Sequence, residues 1–276
     1  MRLHPAKRLR AAAGVLWFVG IYLFLLAPLL VVMAASLNGG EQTYMVFPPK
    51  SLSLHWYARI TPELWHALWI SLSLGLIAAA AGCILGVPAA IGIVRSTFPG
   101  KAFVMALFRA PLQIPAVVIG VSFLKLYYLI GDWTGFYALG SMAGLAIAHI
   151  FMATPYVIGS VAAVVQRLNP RLEEASYSLG ASRWSTFRRV TLPLIMPGVY
   201  TGAMYSFLVS FSDVPVSLFL GATGFTTFPV EIFHAMEFDF DPSILAIATL
   251  IILFSMGLLY LIQRIVGLET LLRSGG

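Results

Sequence analysis

The chain has 276 residues, of which 59% are apolar and only 10% are charged, and its formal net charge is +6 at pH 7. Mean hydropathy is +0.90, and soluble domains hold only roughly 45–50% apolar residues, so the composition excludes a soluble globular protein and favours a set of membrane helices. The basic residues are spread over the loops between apolar runs, a membrane-topology pattern that argues against a nucleic-acid-binding protein.

The apolar runs predict six membrane-spanning helices. The first, at about 13–35, is too long for the core of a signal peptide, so we expect it to be a retained span. The other five are expected at about 67–94, 111–130, 141–165, 194–220 and 244–266. An interfacial lead-in at 101–109 is expected before the third span. Gly82 and Gly86 in the second span have the spacing that lets another helix approach closely.

Lysine and arginine are distributed unequally between the two sides that six spans define. The side with both termini and residues 167–197 holds most of the 17 basic residues. The opposite side holds only Lys50 and Arg59, and Lys125 lies within a span. Because cytoplasmic loops are enriched in lysine and arginine, this asymmetry predicts that both termini are cytoplasmic.

The longest polar segment, residues 167–197, separates two apolar runs and is expected to contact a soluble partner. Its pattern predicts two short helices. Asn169 and Pro170 form a helix start, with proline at the first helical position. Gly180 is expected at the turn between the helices, because glycine adopts backbone conformations that other residues avoid. Ser182 is expected to cap the second helix.

A signature lies within this segment. Residues 174–176 (EAS), Gly180 and residues 190–193 (VTLP) have the spacing E-A-A-x3-G-x9-I-x-L-P, with Ser176 in place of the second alanine and Val190 in place of isoleucine. The chain thereby resembles the permeases of binding-protein-dependent ABC importers. The resemblance implies an all-α integral membrane protein of the type I ABC importer permease fold, with six transmembrane helices. It also implies one permease domain, residues 1–276, with a cytoplasmic coupling segment at 167–193. The alternative is an ordinary cytoplasmic loop.

The resemblance also implies partners. In this family the signature segment is a coupling helix that docks on an ATPase subunit. The residues implied in this contact are Glu173, Glu174, Ala175, Ser176, Gly180, Ala181 and Arg183. An ATP-binding subunit dimer, a second similar permease and a periplasmic solute-binding protein are implied as well, in a bacterial inner membrane. The sequence has no Gly-x4-Gly-Lys-Ser/Thr phosphate-binding loop, so we expect that this chain is not an enzyme and binds no cofactor. ATP and Mg²⁺ are expected to bind to the partner ATPase.

Three further stretches narrow the resemblance. Residues 211–217 (FSDVPVS), 226–233 (TTFPVEIF) and 241–249 (DPSILAIAT) look like the spermidine/putrescine-type permease subgroup. This implies a polyamine as the solute, with aminoethylphosphonate, ferric iron, opines and amino-acid derivatives as alternatives for the same machinery. An ion-coupled secondary transporter is the alternative from another class, and it would normally show repeat symmetry or more intramembrane charge.

Asp213 is a carboxylate at membrane depth, where a charge is costly unless it faces the bundle interior or a water-filled path. One interpretation is a solute path, in which Asp213, Phe207 and Phe211 bind ammonium groups by charge pairing and cation–π contact, with Lys125 in the same layer. The other is structural, in which Asp213 pairs with Lys125 or caps a helix broken near Pro215. The sequence leaves both open.

Two other polar features have simpler interpretations. His149 in the fourth span is expected to bond a neighbouring helix rather than to relay protons. The loop 221–242 contains four acidic residues and no lysine or arginine. We expect it to be a docking surface for the binding protein, with attraction of a cationic solute as the alternative.

Overall fold

The computed structural model describes residues 5–40, 44–222, 225–237 and 241–266, with side chains described between residues 14 and 257 of these ranges. In this part of the chain the regular elements are helices, and β-structure is limited to isolated bridges. Arg2 and Arg273, which entered the orientation prediction, and Asp239 of the acidic loop lie outside the described residues.

The helices follow in chain order. They are α1 (Pro5–Ala35), α2 (His55–Ala58), α3 (Pro62–Arg95), α4 (Lys101–Gln113), α5 (Ala116–Thr134), α6 (Met142–Val165), α7 (Arg171–Ser178), α8 (Arg183–Thr186), a π-helical turn (Phe187–Thr191), α9 (Leu192–Phe211), α10 (Pro215–Leu220), α11 (Phe228–Glu237) and α12 (Ser243–Val266).

Five stretches are long and apolar enough to cross a membrane: Gly14–Ala35, Pro62–Arg95, Ala116–Thr134, Met142–Val165 and Arg183–Phe211. They correspond to the first five predicted spans. The apolar part of α12 with described side chains, Ser243–Gly257, is shorter. The all-helical membrane fold is therefore confirmed, whereas the count of six spans and the side on which the termini lie stay predictions.

The third span begins later than predicted. The lead-in is a helix, α4, that runs past Arg109 and Pro111 to Gln113, and the chain then breaks at Ile114. Ile114 has an extended backbone, with ψ of 129°, because the residue before a proline is disfavoured in the helical region. Pro115 starts a new helix, so the span begins at Ala116 instead of residue 111.

Both ends of the fifth span also differ from the prediction. At its start, α8, the π-helical turn and α9 form one continuous helical stretch through Pro193. The Leu192 N–H donates to the Phe187 carbonyl, five residues earlier, so the turn widens just before the proline. At its far end α9 stops at Phe211 and α10 resumes at Pro215, where the missing N–H of the proline favours a helix start.

The contacts divide the chain into two compact units, residues 1–62 with 235–276, and residues 63–234. In the first unit α1 contacts α12. The loop after α1 is ordered by hydrogen bonds: the buried Trp56 donates its indole N–H to the Asn38 carbonyl at 3.0 Å. Whether residues 1–276 act as one domain stays a prediction.

In the second unit α6 is the central helix, and its most extensive contact is with α9. Close approach depends on glycines facing Val157 of α6. A Cβ added at Gly86 would lie 2.9 Å from Val157 Cβ, and one added at Gly202 of α9 would lie 2.7 Å from Val157 Cα. The prediction that Gly82 and Gly86 permit close helix packing is confirmed, and it brings α3 and α9 against the same stretch of α6.

Candidate functional site

The segment between α6 and α9 has the predicted helix–turn–helix form. Gly180 has φ of +82°, a conformation that glycine adopts without steric cost. The Gly180 N–H donates to Tyr177 O at 2.9 Å and the Ala181 N–H donates to Ser176 O at 3.1 Å, the two bonds of a Schellman C-cap. Ser182 caps α8 by accepting from the Ser185 N–H at 3.2 Å. The predicted turn and cap are confirmed.

The start of α7 differs in detail from the prediction. Pro170 is the residue that precedes α7 and already has helical angles, with φ of −58° and ψ of −26°. The Asn169 side-chain oxygen accepts from the Arg171 N–H at 3.1 Å. Asn169 therefore satisfies one of the free amides at this helix end, as a capping residue does.

One side of α7 is tied to the membrane helices. The Glu173 carboxylate accepts hydrogen bonds from the Arg95 guanidinium at the end of α3 and from the Thr191 hydroxyl just before α9. The Ser176 hydroxyl lies 2.9 Å from that of Thr186. The Glu173 side chain is only 16% exposed. Glu173 and Ser176, two residues of the predicted ATPase contact, thus face their own chain.

The other side of the segment faces outward. Among the predicted contact residues, Glu174, Ala175, Gly180 and Arg183 are exposed and Ala181 is half-buried. Four large side chains accompany them on the surface: Leu172, Tyr177, Leu179 and Trp184. Leu179 is 89% exposed and Trp184 is 69% exposed. Exposed apolar side chains that cluster on a polar segment are typical of a protein-binding surface.

Sequence reasoning assigned no contact to Leu179, Trp184 or Arg95. Leu179 and Trp184 are large apolar residues within a polar segment, and this signal was available. Arg95 was counted only as a basic residue at the end of the second span. Its pairing with Glu173 joins residues 78 positions apart, which sequence spacing does not reveal.

A second cluster of polar side chains is buried between α6, α9 and α10. His149 Nδ1 lies 2.8 Å from Ser210 Oγ, and His149 Nε2 lies 3.2 Å from Ser217 Oγ. Ser217 donates to Asp213 Oδ2 twice, from its backbone N–H at 2.8 Å and from its hydroxyl at 3.1 Å. All four residues are buried. The expected bond from His149 to neighbouring helices is confirmed.

The donor and acceptor roles in this cluster follow from the carboxylate. An ionised Asp213 only accepts, so the Ser217 hydroxyl uses its hydrogen for Asp213 and its lone pair accepts from His149 Nε2–H. His149 Nδ1 is then the acceptor for the Ser210 hydroxyl. The chain of bonds connects α6 to both sides of the helix break.

Asp213 acts as the cap of α10. Its carboxylate accepts the Ser217 N–H in the first turn of that helix, as the capping alternative predicted. Among the described side chains, no ion pair joins Asp213 to Lys125, which is exposed. The pairing alternative is therefore wrong. Ser217 was missed, although its position four residues after Asp213 was the available signal.

Three of the four residues of the predicted solute path make contacts within the described part of the chain, and the path itself stays a prediction. Phe207 and Phe211 stack on each other at 5.6 Å between ring centroids. Phe207 packs against Gly75 of α3, where an added Cβ would lie 2.8 Å from its ring. Asp213 bonds within α10 and faces α6 through Ser217. The aromatic pair and the carboxylate thus lie on different faces of the broken helix.

Residues 82–268 match the family model described as "Binding-protein-dependent transport system inner membrane component". The match covers more than half of the chain, and the helical fold and signature segment agree with it. The chain belongs to this family of ABC importer permeases.

Within the family, the similar proteins include polyamine permeases. The putrescine transport system permease protein PotI of Escherichia coli K12 is 32% identical over 234 residues, 84% of this chain and 82% of PotI. The spermidine/putrescine transport system permease protein PotC of Haemophilus influenzae is 30% identical over 247 residues, 89% of this chain and 93% of PotC. A putative 2-aminoethylphosphonate transport system permease protein, PhnV of Salmonella typhimurium, is 28% identical over 83% of this chain and 84% of PhnV. All three relatives are transport system permease proteins, that of Salmonella typhimurium putatively so.

Solved structures agree on the fold. A chain of a bacterial ABC transporter that imports the acidic polysaccharide alginate superposes with a TM-score of 0.74 at 14% identity, covering 96% of this chain and 99% of that one. A chain of a bacterial alginate ABC transporter in complex with an alginate pentasaccharide-bound periplasmic protein superposes with a TM-score of 0.69 at 18% identity. The superposition covers 95% of this chain and 96% of that one. At these identities the superpositions show the fold alone.

Proposed function

We propose that the chain is the permease subunit of an ATP-driven importer that carries a polyamine delivered by a periplasmic binding protein. The observation that carries the choice of solute is the similarity to PotI and PotC over 84% and 89% of this chain. The similarity to PhnV supports 2-aminoethylphosphonate as a second candidate. The two candidates share a primary ammonium group.

We infer that the outward side of the coupling segment, with Glu174, Leu179 and Trp184, docks on the ATPase. ATP and Mg²⁺ would be held by that partner, and a second similar permease would complete the membrane domain. Glu173 supports this role, because its bonds to Arg95 and Thr191 connect α7 to the ends of both α3 and the helix leading into α9. A displacement of α7 by the closing ATPase dimer would therefore be passed to two membrane helices, as alternating access requires.

Orientation is part of the proposal: the coupling segment is cytoplasmic and the loop after α10 faces the periplasm. In a Cys83→Ala background, we expect a membrane-impermeant maleimide to label Ala222→Cys in intact spheroplasts and to leave Ser182→Cys unlabelled. Both positions are exposed in the structure, so labelling depends on the side of the membrane. In inverted vesicles the pattern should reverse. Labelling of Ser182→Cys in sealed spheroplasts would contradict the proposed orientation.

The proposed function is tested by uptake into proteoliposomes. The chain is reconstituted with its proposed partners, an ATPase, a second permease and a binding protein, with ATP inside and labelled putrescine outside. We expect uptake that needs both ATP and the binding protein and that persists when ionophores collapse ion gradients. Uptake of 2-aminoethylphosphonate but not of putrescine would select the second candidate. Uptake that ionophores abolish and that needs no ATP would identify a secondary transporter instead.

A further inference from the structure

A polar cavity of about 490 Å³ lies in the second unit, at the end of α10. Its size is in the range of small-molecule sites, roughly 300–1,000 Å³. The walls include Ser217, Ala222, Thr226, Glu231 and His234. The 20-residue helix α9 separates this end of the unit from the coupling segment, a distance of about 30 Å at 1.5 Å per residue. The cavity is thus at the opposite end from the proposed ATPase contact.

The walls of this cavity favour a cation. Glu231 is the acidic residue among them, and neither lysine nor arginine is present in the described lining. The Thr226 hydroxyl donates to Glu231 Oε1 and holds the carboxylate at the wall. A carboxylate has about four lone-pair positions, so one bond to a hydroxyl does not saturate it. Glu231 therefore retains the capacity to accept from an ammonium group.

A second carboxylate lies behind the cavity wall. Ser217 lines the cavity, and its hydroxyl is 3.1 Å from Asp213 Oδ2. Asp213 is buried and does not line the cavity, so it is connected to the cavity wall only by its hydrogen bonds with Ser217. Glu231 is therefore the carboxylate at the cavity surface, and its negative charge raises the local concentration of cations.

We propose that this cavity binds the primary ammonium end of the solute before it enters the helix bundle, with Glu231 as the contacting carboxylate. The identity of the solute in this proposal rests on the proposed function. Glu231, and not Asp213, is the residue proposed to contact the cation. Glu237 offers a matched control, because it is an exposed glutamate on the same helix, α11, and does not line the cavity.

The charge preference of the cavity is measured directly by cysteine modification. The full chain carrying Cys83→Ala and Ala222→Cys is placed in lipid nanodiscs and treated with 2-aminoethyl or 2-sulfonatoethyl methanethiosulfonate. We expect the cationic reagent to react faster. Glu231→Gln should lower the ratio of the two rates by about tenfold, the factor that one unit charge about 6 Å away in water gives between a cation and an anion. Glu237→Gln should leave the ratio within about twofold of its value, because Glu237 does not line the cavity and its exposed charge is screened by salt.

Uptake then separates this proposal from the proposed function. In proteoliposomes that take up putrescine, Glu231→Gln should raise KM about tenfold or more, since a charge-assisted contact is lost. An unchanged rate ratio in Glu231→Gln would overturn the cation site whatever the solute is. If Glu231→Gln lowers the rate ratio but the unsubstituted protein takes up no putrescine, the cation site is supported and putrescine is rejected as the solute. If Glu231→Gln lowers the rate ratio but leaves the KM for putrescine unchanged, the proposed role of the cation site in transport is overturned.

Discussion

Gly180→Val is expected to remove most of the solute-stimulated ATP hydrolysis in the reconstituted importer while the permease still inserts in the membrane. Gly180 has φ of +82° and an added Cβ would meet no atom within 4 Å, so the substitution acts on the backbone alone. A β-branched residue in this region costs about 1–2 kcal/mol or more. The turn should therefore change shape and displace the exposed face of α7 relative to Trp184. We expect stimulated hydrolysis to fall by about tenfold or more, since 1.36 kcal/mol corresponds to a factor of ten.

Gly100 provides the matched control for this prediction. It precedes α4, has the same φ of +82° and also has no atom within 4 Å of an added Cβ. Gly100→Val imposes the same strain on another turn and should retain most of the stimulation. Gly180→Asn should also retain it, because asparagine tolerates the left-handed region.

Glu174→Lys tests the same surface by charge. Glu174 is exposed and its side chain faces away from the bundle, so reversing its charge should weaken ATPase docking without affecting insertion. Full stimulation in both Gly180→Val and Glu174→Lys would remove the coupling role from this segment.

Asp213→Ala is expected to destabilise the protein by about 2–4 kcal/mol, the sum of a lost helix cap and of buried partners left without an acceptor. The Ser217 N–H and hydroxyl both lose their partner, and the bond from His149 to Ser217 loses its support. The measurement is unfolding of the purified chain in mixed micelles as denaturing detergent increases. Asp213→Asn keeps one side-chain acceptor and should cost less.

Two controls separate the cap from other roles of Asp213. Asp132 is exposed and bonds the Tyr137 hydroxyl at 3.0 Å, so Asp132→Asn makes the same chemical change at a surface site and should be nearly neutral. Lys125→Met should not rescue Asp213→Asn, because no ion pair joins these residues. Reduced putrescine uptake at unchanged stability in Asp213→Asn would support a solute contact instead. Unchanged uptake and unchanged stability would contradict both interpretations.

Much of this protein is determined by local sequence. Five spans follow from runs of apolar residues long enough to cross the bilayer, and this property needs no knowledge of neighbouring helices. The turn at Gly180 and the cap at Ser182 are also local, because a single residue's backbone freedom or a side chain three residues away is sufficient. The same applies to the cap at Asp213, whose partner Ser217 is four residues away. The spacing of the signature identified the family for the same reason.

Tertiary structure decided which way each side chain faces. Glu173 and Glu174 are adjacent in sequence, yet one bonds Arg95 and Thr191 while the other is exposed. The rotation of α7 about its axis decides which of the two faces the bundle, and the bonds of Glu173 to Arg95 and Thr191 hold that rotation. Phe207 and Asp213 likewise diverge. The contact of α9 with α6 turns Ser206 and Ser210 toward α6 and leaves Phe207 against α3. Partners that lie 61 to 78 residues apart, such as His149 with Ser210 and Arg95 with Glu173, meet only through helix packing, which spacing along the chain does not encode.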